Sequence, residues 1–409
     1  IFDCHTHIGC ADPDGSCFGA AELRAALGLV DGRAVVFPLA EPGSYRTANE
    51  QVIAAAHADG RLVPFCRVDP LHGGVREAAR AVELGAAGIK LHPRAERFGL
   101  AEPGVRRVVA FADERRLPVI VHAGRGIPSL GRDALTLAHQ FPRAPIILAH
   151  LAISDLAWIW REAADRRNLF FDTAWWNTAD QLALMAMVPP GQILFASDAP
   201  YGRTVAAASI VLRAALGVGL SAEQIRAIAG GQLERLLAGA DPLYLGPAPM
   251  TTAPGPGPLL ERVHTLLVAA AARLTAGYPA DEYLELARLA CALPAGAPDA
   301  ATAASIRALL DRHAEYLAGD PPRRGPRVPG IHLVFVAAAL ARLPGLPLPL
   351  TTGASATGAG VPEPPLPGSS GPHTSAGSQS TSVCRSSALG RDPAAARRAA
   401  AVRSSSGRR

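Results

Sequence analysis

The chain has 409 residues, 49% of them hydrophobic and 18% charged, which allows a large core and two or three domains. Its net charge of +5 is local: residues 351–409 hold seven arginines against Glu363 and Asp392, and residues 1–350 balance at 33 basic and 33 acidic side chains. A neutral body of this kind argues against a broad nucleic-acid footprint.

Arginine replaces lysine almost throughout, Lys90 being the one lysine. The six cysteines show neither a CxxC pair nor the spacing of a disulfide framework, so they read as reduced thiols of a cytoplasmic protein. Cys4, Cys10 and Cys17 lie near a histidine pair, with metal binding the minor alternative for them. No apolar run approaches the roughly 18 residues of a membrane span. The chain opens at Ile1 without a signal-peptide pattern, and the absence of a starting Met leads us to expect a few further leading residues.

From residue 1 to about residue 240, short apolar runs alternate with amphipathic stretches. The runs are 1–4, 34–39, 62–68, 88–91, 118–121, 145–149, 169–171 and 192–196, each bounded by Gly, Pro, Asp or Asn as buried parallel strands are. Helical spacing is expected over 20–29, 47–58, 74–84, 105–116, 131–140, 155–167, 179–188 and 205–216, with closing helices at 221–228 and 232–237. Eight βα units of this length predict a (β/α)8 TIM barrel over residues 1–240. The rival is a doubly wound open sheet, which would more naturally place a glycine-rich nucleotide loop after its first strand. Residues 241–258 are rich in Pro, Gly and Thr and read as a linker. Residues 259–345 predict an α-helical extension with helices at 259–276, 281–291, 302–317 and 331–343. Residues 351–409 form a Gly/Ser/Pro/Ala-rich basic tail that cannot bury enough apolar surface to fold and is expected to be disordered.

Chemistry-bearing residues collect at the strand ends. His5 and His7 are two apart, so on a strand both imidazoles face one way, as suits a zinc-type cation. Alone, such a pair is better explained by packing and solvent contact. Lys90 and His92 belong to strand four, His122 follows strand five, His150 strand six and Asp198 strand eight. In a barrel these ends share the face that carries active sites. Five imidazoles and a carboxylate there would be costly to bury without partners, and a metal centre removes that cost.

The stretches FDCHTHIG, GIKLHPR, VIVHAG, ILAHL and ILFASDAPYG resemble the metal-dependent amidohydrolase superfamily, specifically the amidohydrolase-related branch that also contains metal-dependent decarboxylases. The resemblance covers about residues 1–240. It implies His5, His7, His122 and Asp198 as metal ligands, with His150 beside the bound water or substrate, or as a ligand to a second ion. In two-metal relatives a carboxylated lysine on strand four bridges the ions, which makes Lys90, with His92, the candidate for a second metal or for substrate binding. Only a neutral amine can be carboxylated, and a desolvated lysine, unlike arginine, can lose its proton. One ion is the preferred reading and two the alternative. Zn2+ is the expected metal, with Mn2+ as a substitute.

The resemblance leaves two reactions open. In hydrolysis, a metal-activated water attacks an ester, lactone or amide, with Asp198 moving the proton and His150 steadying the oxyanion. In non-oxidative decarboxylation of an aromatic or unsaturated acid, the same ligands hold substrate oxygens. Arg94, Arg125 and Arg203 follow strand-end positions and suit a carboxylate of a small organic acid. Trp175 is a candidate wall for a planar substrate, or equally a packing residue, and Asp172 is placed to orient a ligand histidine. The expected partner is a small molecule, with no nucleic acid and no membrane, and self-association is left open.

Overall fold

The computed structural model describes residues 1–346 except 13–14, 42, 125–129, 252 and 320–327, so the expected tail at 351–409 and Arg125 lie outside the described residues. Its strands are β1 (Phe2–Ile8), β2 (Arg33–Pro38), β3 (Leu62–Pro64, continuing as Cys66–Arg67), β4 (Ile89–Leu91), β5 (Val119–Val121), β6 (Ile146–Leu148), β7 (Leu169–Asp172) and β8 (Ile193–Leu194). Every pairing between neighbours is parallel and follows chain order. Phe65, between the halves of β3, donates its N–H to Val36 O while Cys66 donates to Gly88 O, so one strand carries the pairing from β2 across to β4. The sheet closes where β8 meets β1: Cys4 N–H donates to Phe195 O at 2.9 Å and His7 N–H to Ala199 O at 2.8 Å. The fold is therefore a (β/α)8 barrel, as the alternation predicts.

The helices around it are α1 (Ala20–Gly28), α2 (Arg46–His57), α3 (Gly74–Glu83), α4 (Pro103–Arg115), α5 (Gly131–Gln140), α6 (Leu156–Ala163), α7 (Thr178–Met187) and α8 (Thr204–Gly217), followed by α9 (Ala222–Arg226) and α10 (Gln232–Leu237). Two boundaries differ from expectation for identifiable reasons. β1 runs on to Ile8 rather than ending at Cys4, and all seven of its residues are buried. Its polar side chains are tolerated because they are bonded: Thr6 Oγ1 donates to Val35 O at 2.7 Å, and Asp3 Oδ1 accepts from the N–H groups of His5 and Ser197. α6 stops at Ala163, short of residue 167, where the Gln192 amide donates to the carbonyls of Ala163, Arg166 and Leu169 at 2.8–2.9 Å. That glutamine, expected inside strand eight, instead precedes β8 and ties down the end of α6.

Cys10 and Cys17, expected as separate thiols, are joined by a disulfide. The cause is backbone pairing, not a spacing rule. Gly9 and Phe18 exchange both N–H···O bonds at 2.9 Å and bring the cysteine Cα atoms to 4.0 Å. Cys4, Cys66 and Cys291 are buried free thiols.

The extension comprises α11 (Pro258–Thr275), α12 (Asp281–Ala290), α13 (Ala300–Ala318) and α14 (Ile331–Arg342). Leu260, Leu267, Ile306, Leu310, Val334 and Leu340 build its core, and Ala206 of α8 belongs to the same cluster. Leu343 packs in turn with the barrel's main core, and its carbonyl accepts from the Arg213 guanidinium. Barrel and extension thus belong to one compact unit. Among the described residues, no helix is long and apolar enough to cross a membrane.

Inside the barrel, Cys4, Phe37, Phe65, Ile120, Phe170 and Leu194 belong to one buried cluster, as interior layers of such barrels require. Gly88 faces this layer, and a β-carbon there would overlap the Phe65 ring, which has no exposed surface to escape to. We therefore expect Gly88→Ala to lower stability by about 1–3 kcal/mol, the usual cost of overpacking, measured by denaturant unfolding of the purified variant.

Candidate metal centre

Side-chain direction on β1 places His5 and His7 together at the C-terminal end of the barrel, and their Nδ1 atoms are both occupied. His5 Nδ1 lies 2.7 Å from Asp172 Oδ2, and His7 Nδ1 lies 3.3 Å from Pro38 O. Neither acceptor can donate, so each Nδ1 carries the proton and each Nε2 presents a lone pair. Burial, reinforced by the Lys90 charge, holds both rings well below the usual imidazole pKa, hence neutral. The two Nε2 atoms lie 3.2 and 3.1 Å from the same carboxylate oxygen, Asp198 Oδ1. Lys90 Nζ, 3.2 Å from His5 Nε2, can donate to the first lone pair, but the lone pair of His7 Nε2 faces Asp198 Oδ1 and repels it unless a proton or a cation sits between them. This is the observation that the donor set fits a metal.

His150 has the same arrangement. Its Nδ1 donates to Ala174 O at 2.7 Å, which leaves Nε2 as a lone pair 3.0 Å from His122 Nδ1. One donor atom each from His5, His150 and Asp198 lie within 4.8 Å of one another. The backbone at His150 and Asp198 takes left-handed φ values of 58° and 60°. Residues other than glycine are held there at a cost, and such strain concentrates at functional positions. At Gly124 a β-carbon would stand 2.8 Å from the His150 ring and 3.1 Å from the His122 ring, so glycine leaves room for both imidazoles.

Two buried carboxylates brace the group. Asp172 spans it: Oδ2 accepts from His5, while Oδ1 accepts from the N–H of His150 at 2.7 Å and of Ala174 at 3.0 Å. Asp3 ties His5 N–H to Ser197 N–H, and burial raises its carboxyl to about 7. Asp198 is raised to about 6, again by burial, with His150 and Lys90 opposing. Lys90 is fully buried with Nζ 3.2 Å from His5 Nε2 and 4.8 Å from the centre of the Phe37 ring. Burial lowers it to about 8, against the pull of Asp172 and Asp198.

The residues singled out from sequence fall into three groups. His5, His7, His150, Asp198 and Lys90 converge. His122 and His92 stand beside them with their rings stacked 3.9 Å apart: His122 meets His150 through Nδ1 at 3.0 Å and keeps its Nε2 buried without a partner, while His92 Nδ1 accepts from Ala95 N–H at the start of a helical turn. Arg94, Arg203 and Trp175 line a cavity of about 1450 Å3 that opens from the centre, both arginines being exposed. Trp175 also donates its indole N–H to Asp180 Oδ2 at 2.7 Å.

Sequence reading missed Arg67, which is buried in the cavity wall and bonded to Glu96 Oε1 through Nη2 at 2.8 Å and Nε at 3.2 Å. An arginine inside the apolar run LVPFCRV was the available signal, concealed by a chain that uses arginine everywhere. It also missed Tyr201, whose hydroxyl donates to Asp12 Oδ2 at 2.8 Å and whose ring stands edge-on to His7.

A (β/α)8 barrel with nitrogen and oxygen donors converging at the strand C-termini defines a class of metal-dependent enzymes. Residues 2–237 match the family model described as "Amidohydrolase". The chain belongs to the amidohydrolase superfamily, in its metal-dependent amidohydrolase-related branch. Among solved structures it is similar to 5-carboxyvanillate decarboxylase from Sphingomonas paucimobilis (16% identity, 58% of this chain and 98% of that one, TM-score 0.47). It is also similar to a zinc-bound amidohydrolase from Burkholderia multivorans (18% identity, 58% and 98%, TM-score 0.48) and to a 2,6-dihydroxybenzoate decarboxylase (14% identity, 58% and 98%, TM-score 0.47). No curated protein sequence matches it.

Two outcomes follow from the geometry. Asp172→Asn, which cannot hold His5 in the same tautomer as strongly, should weaken zinc affinity by about 10–100-fold, read by competition with a chromogenic chelator. The second concerns pH. Seven imidazoles, among them His5, His7, His92 and His122, are lowered, whereas four carboxylates, Asp3, Asp172, Asp180 and Asp198, are raised. Below the ordinary imidazole pKa the unfolded chain therefore binds more protons than the folded one. The stability of the metal-free protein, present above about pH 6.5, should be lost as pH falls toward 5, seen as a falling melting temperature.

Proposed function

We propose that this enzyme hydrolyses an ester, lactone or amide bond in a small acidic substrate, using one divalent cation. The observation that carries the proposal is the convergence of the His5 and His7 lone pairs on Asp198, beside His150, at the mouth of a large cavity. His5, His150 and Asp198 would hold the ion, with His7 adjoining. A nitrogen and carboxylate donor set favours Zn2+, with Mn2+ as a substitute. Such an ion polarises a carbonyl and makes water acidic enough to ionise near neutral pH.

The protein's own groups supply the rest. Asp198, raised to about 6, is mostly ionised at neutral pH yet basic enough to take the proton of the attacking water and return it to the leaving group. Asp172 fixes the His5 tautomer, and the backbone carbonyl of Ala174 fixes that of His150. Lys90, lowered to about 8 by burial against the pull of Asp172 and Asp198, offsets the charge of these two buried carboxylates when protonated. Arg94 and Arg203 at the cavity favour an anionic substrate.

Decarboxylation of an aromatic or unsaturated acid needs the same donors, so the test must separate the two. Zinc-loaded protein is assayed on lactones, esters, amides and unsaturated acids while carbon dioxide is followed. Paired acid and alcohol or acid and amine products are expected. Carbon dioxide without them would replace hydrolysis by decarboxylation. Asp198→Asn should lower kcat by about 100-fold or more.

A further inference from the structure

We infer that the helical extension supplies part of the substrate site: α14 completes an aromatic wall that takes a flat, aryl-bearing portion of the substrate. The inference rests on the reading of this cavity as the substrate site and adds a substrate class to it.

The wall is built from two parts of the chain. Trp175 and Trp176 follow β7, and their ring centroids are 6.0 Å apart at 30°. Phe335 comes from α14 and stacks on Trp176 at 5.1 Å and 16°. All three line the cavity, and all three are only partly buried, so the stack is not closed off inside the core. His332, one turn before Phe335 on α14, and Arg203 line the same cavity. The family match ends at residue 237, so the α14 contribution comes from outside the matched barrel.

Position ties this wall to the metal centre. Ala174, whose carbonyl holds His150 Nδ1, itself lines the cavity. Trp176 follows it by two residues, so the two Cα atoms are within about 7.6 Å, twice the Cα–Cα step. Size points the same way. A cavity of about 1450 Å3 exceeds the roughly 300–1000 Å3 of most small-molecule sites. A molecule with only a scissile carbonyl and a carboxylate would leave the aromatic wall untouched. A planar ring lying against Trp176 and Phe335 uses it, because aromatic faces and edges pair favourably beyond their buried area.

The test uses two acids of equal charge and similar bulk, one flat and one not: 1-naphthoate and decalin-1-carboxylate. Binding to the full-length zinc-loaded protein is followed by tryptophan fluorescence and isothermal calorimetry, with no catalysis required. We expect 1-naphthoate to bind about threefold to tenfold more tightly, as aromatic pairing predicts. Phe335→Leu, which keeps an apolar side chain but removes the ring, should abolish that preference, and Phe335→Tyr should retain it. Unchanged zinc content and melting temperature of both variants show that the barrel is intact. Equal affinities in the parent protein, a preference that survives Phe335→Leu, or no binding of either acid would overturn the inference. If the preference is found and no ester, lactone or amide is cleaved, the hydrolase reading fails and the aromatic subsite stands.

Discussion

The bond between Asp172 and His5 governs the centre. A carboxylate buried at the end of β7 accepts the Nδ1 proton of a histidine on β1 and, with its second oxygen, two backbone N–H groups of the segments that carry His150 and Ala174. That one side chain sets the tautomer of His5 and positions the turn bearing His150. Remove its charge and the lone pair of His5 is no longer committed to the cavity side. The burial that raises the Asp172 pKa would normally favour a protonated acid, and its donors act in the opposite direction. Three hydrogen-bond donors and the nearby Lys90 are what let an ionised carboxylate persist there.

Much of this was legible in the residue order. Parallel strands buried on both faces read as short apolar runs, and β2, β4, β5 and β6 fall where their Val, Ile and Leu residues predict. His122, His150 and Asp198 stand just beyond such runs. β1 was harder, since Asp3, His5, Thr6 and His7 look like the end of a strand when each is in fact a buried strand residue with a partner. The finer arrangement could not be read. That His150 Nε2 meets His122 Nδ1 while His122 Nε2 stays unpartnered depends on a left-handed backbone at residue 150 and on a glycine at 124 that makes space. Arg67 was hidden by composition. The Cys10–Cys17 bond needed the pairing of Gly9 with Phe18, which no spacing rule encodes.

The extension shows the same limit from another side. Its four helices have apolar faces at helical spacing, so their existence was plain. Their docking was not, because an alanine- and leucine-rich face packs equally well on a sister helix or on a barrel. Here α14 does both: Val334 and Leu340 join the extension's core, while Phe335 reaches Trp176 of the barrel. The extension thereby becomes continuous with the rim of the cavity.

The seam where β8 meets β1 gives the centre a particular order of assembly. Asp198 N–H bonds to His5 O, Ser197 N–H to Asp3, and His7 N–H to Ala199 O, across a gap of more than 190 residues. During synthesis the ribosome delivers both histidines of β1 long before the aspartate that faces them. A nascent chain that has not yet emitted its eighth strand holds imidazoles but lacks the opposing carboxylate. The donor trio therefore comes into being only when the first and last strands of the cylinder find each other. On the proposed ligand set, competence to capture a cation thus coincides with completion of the fold.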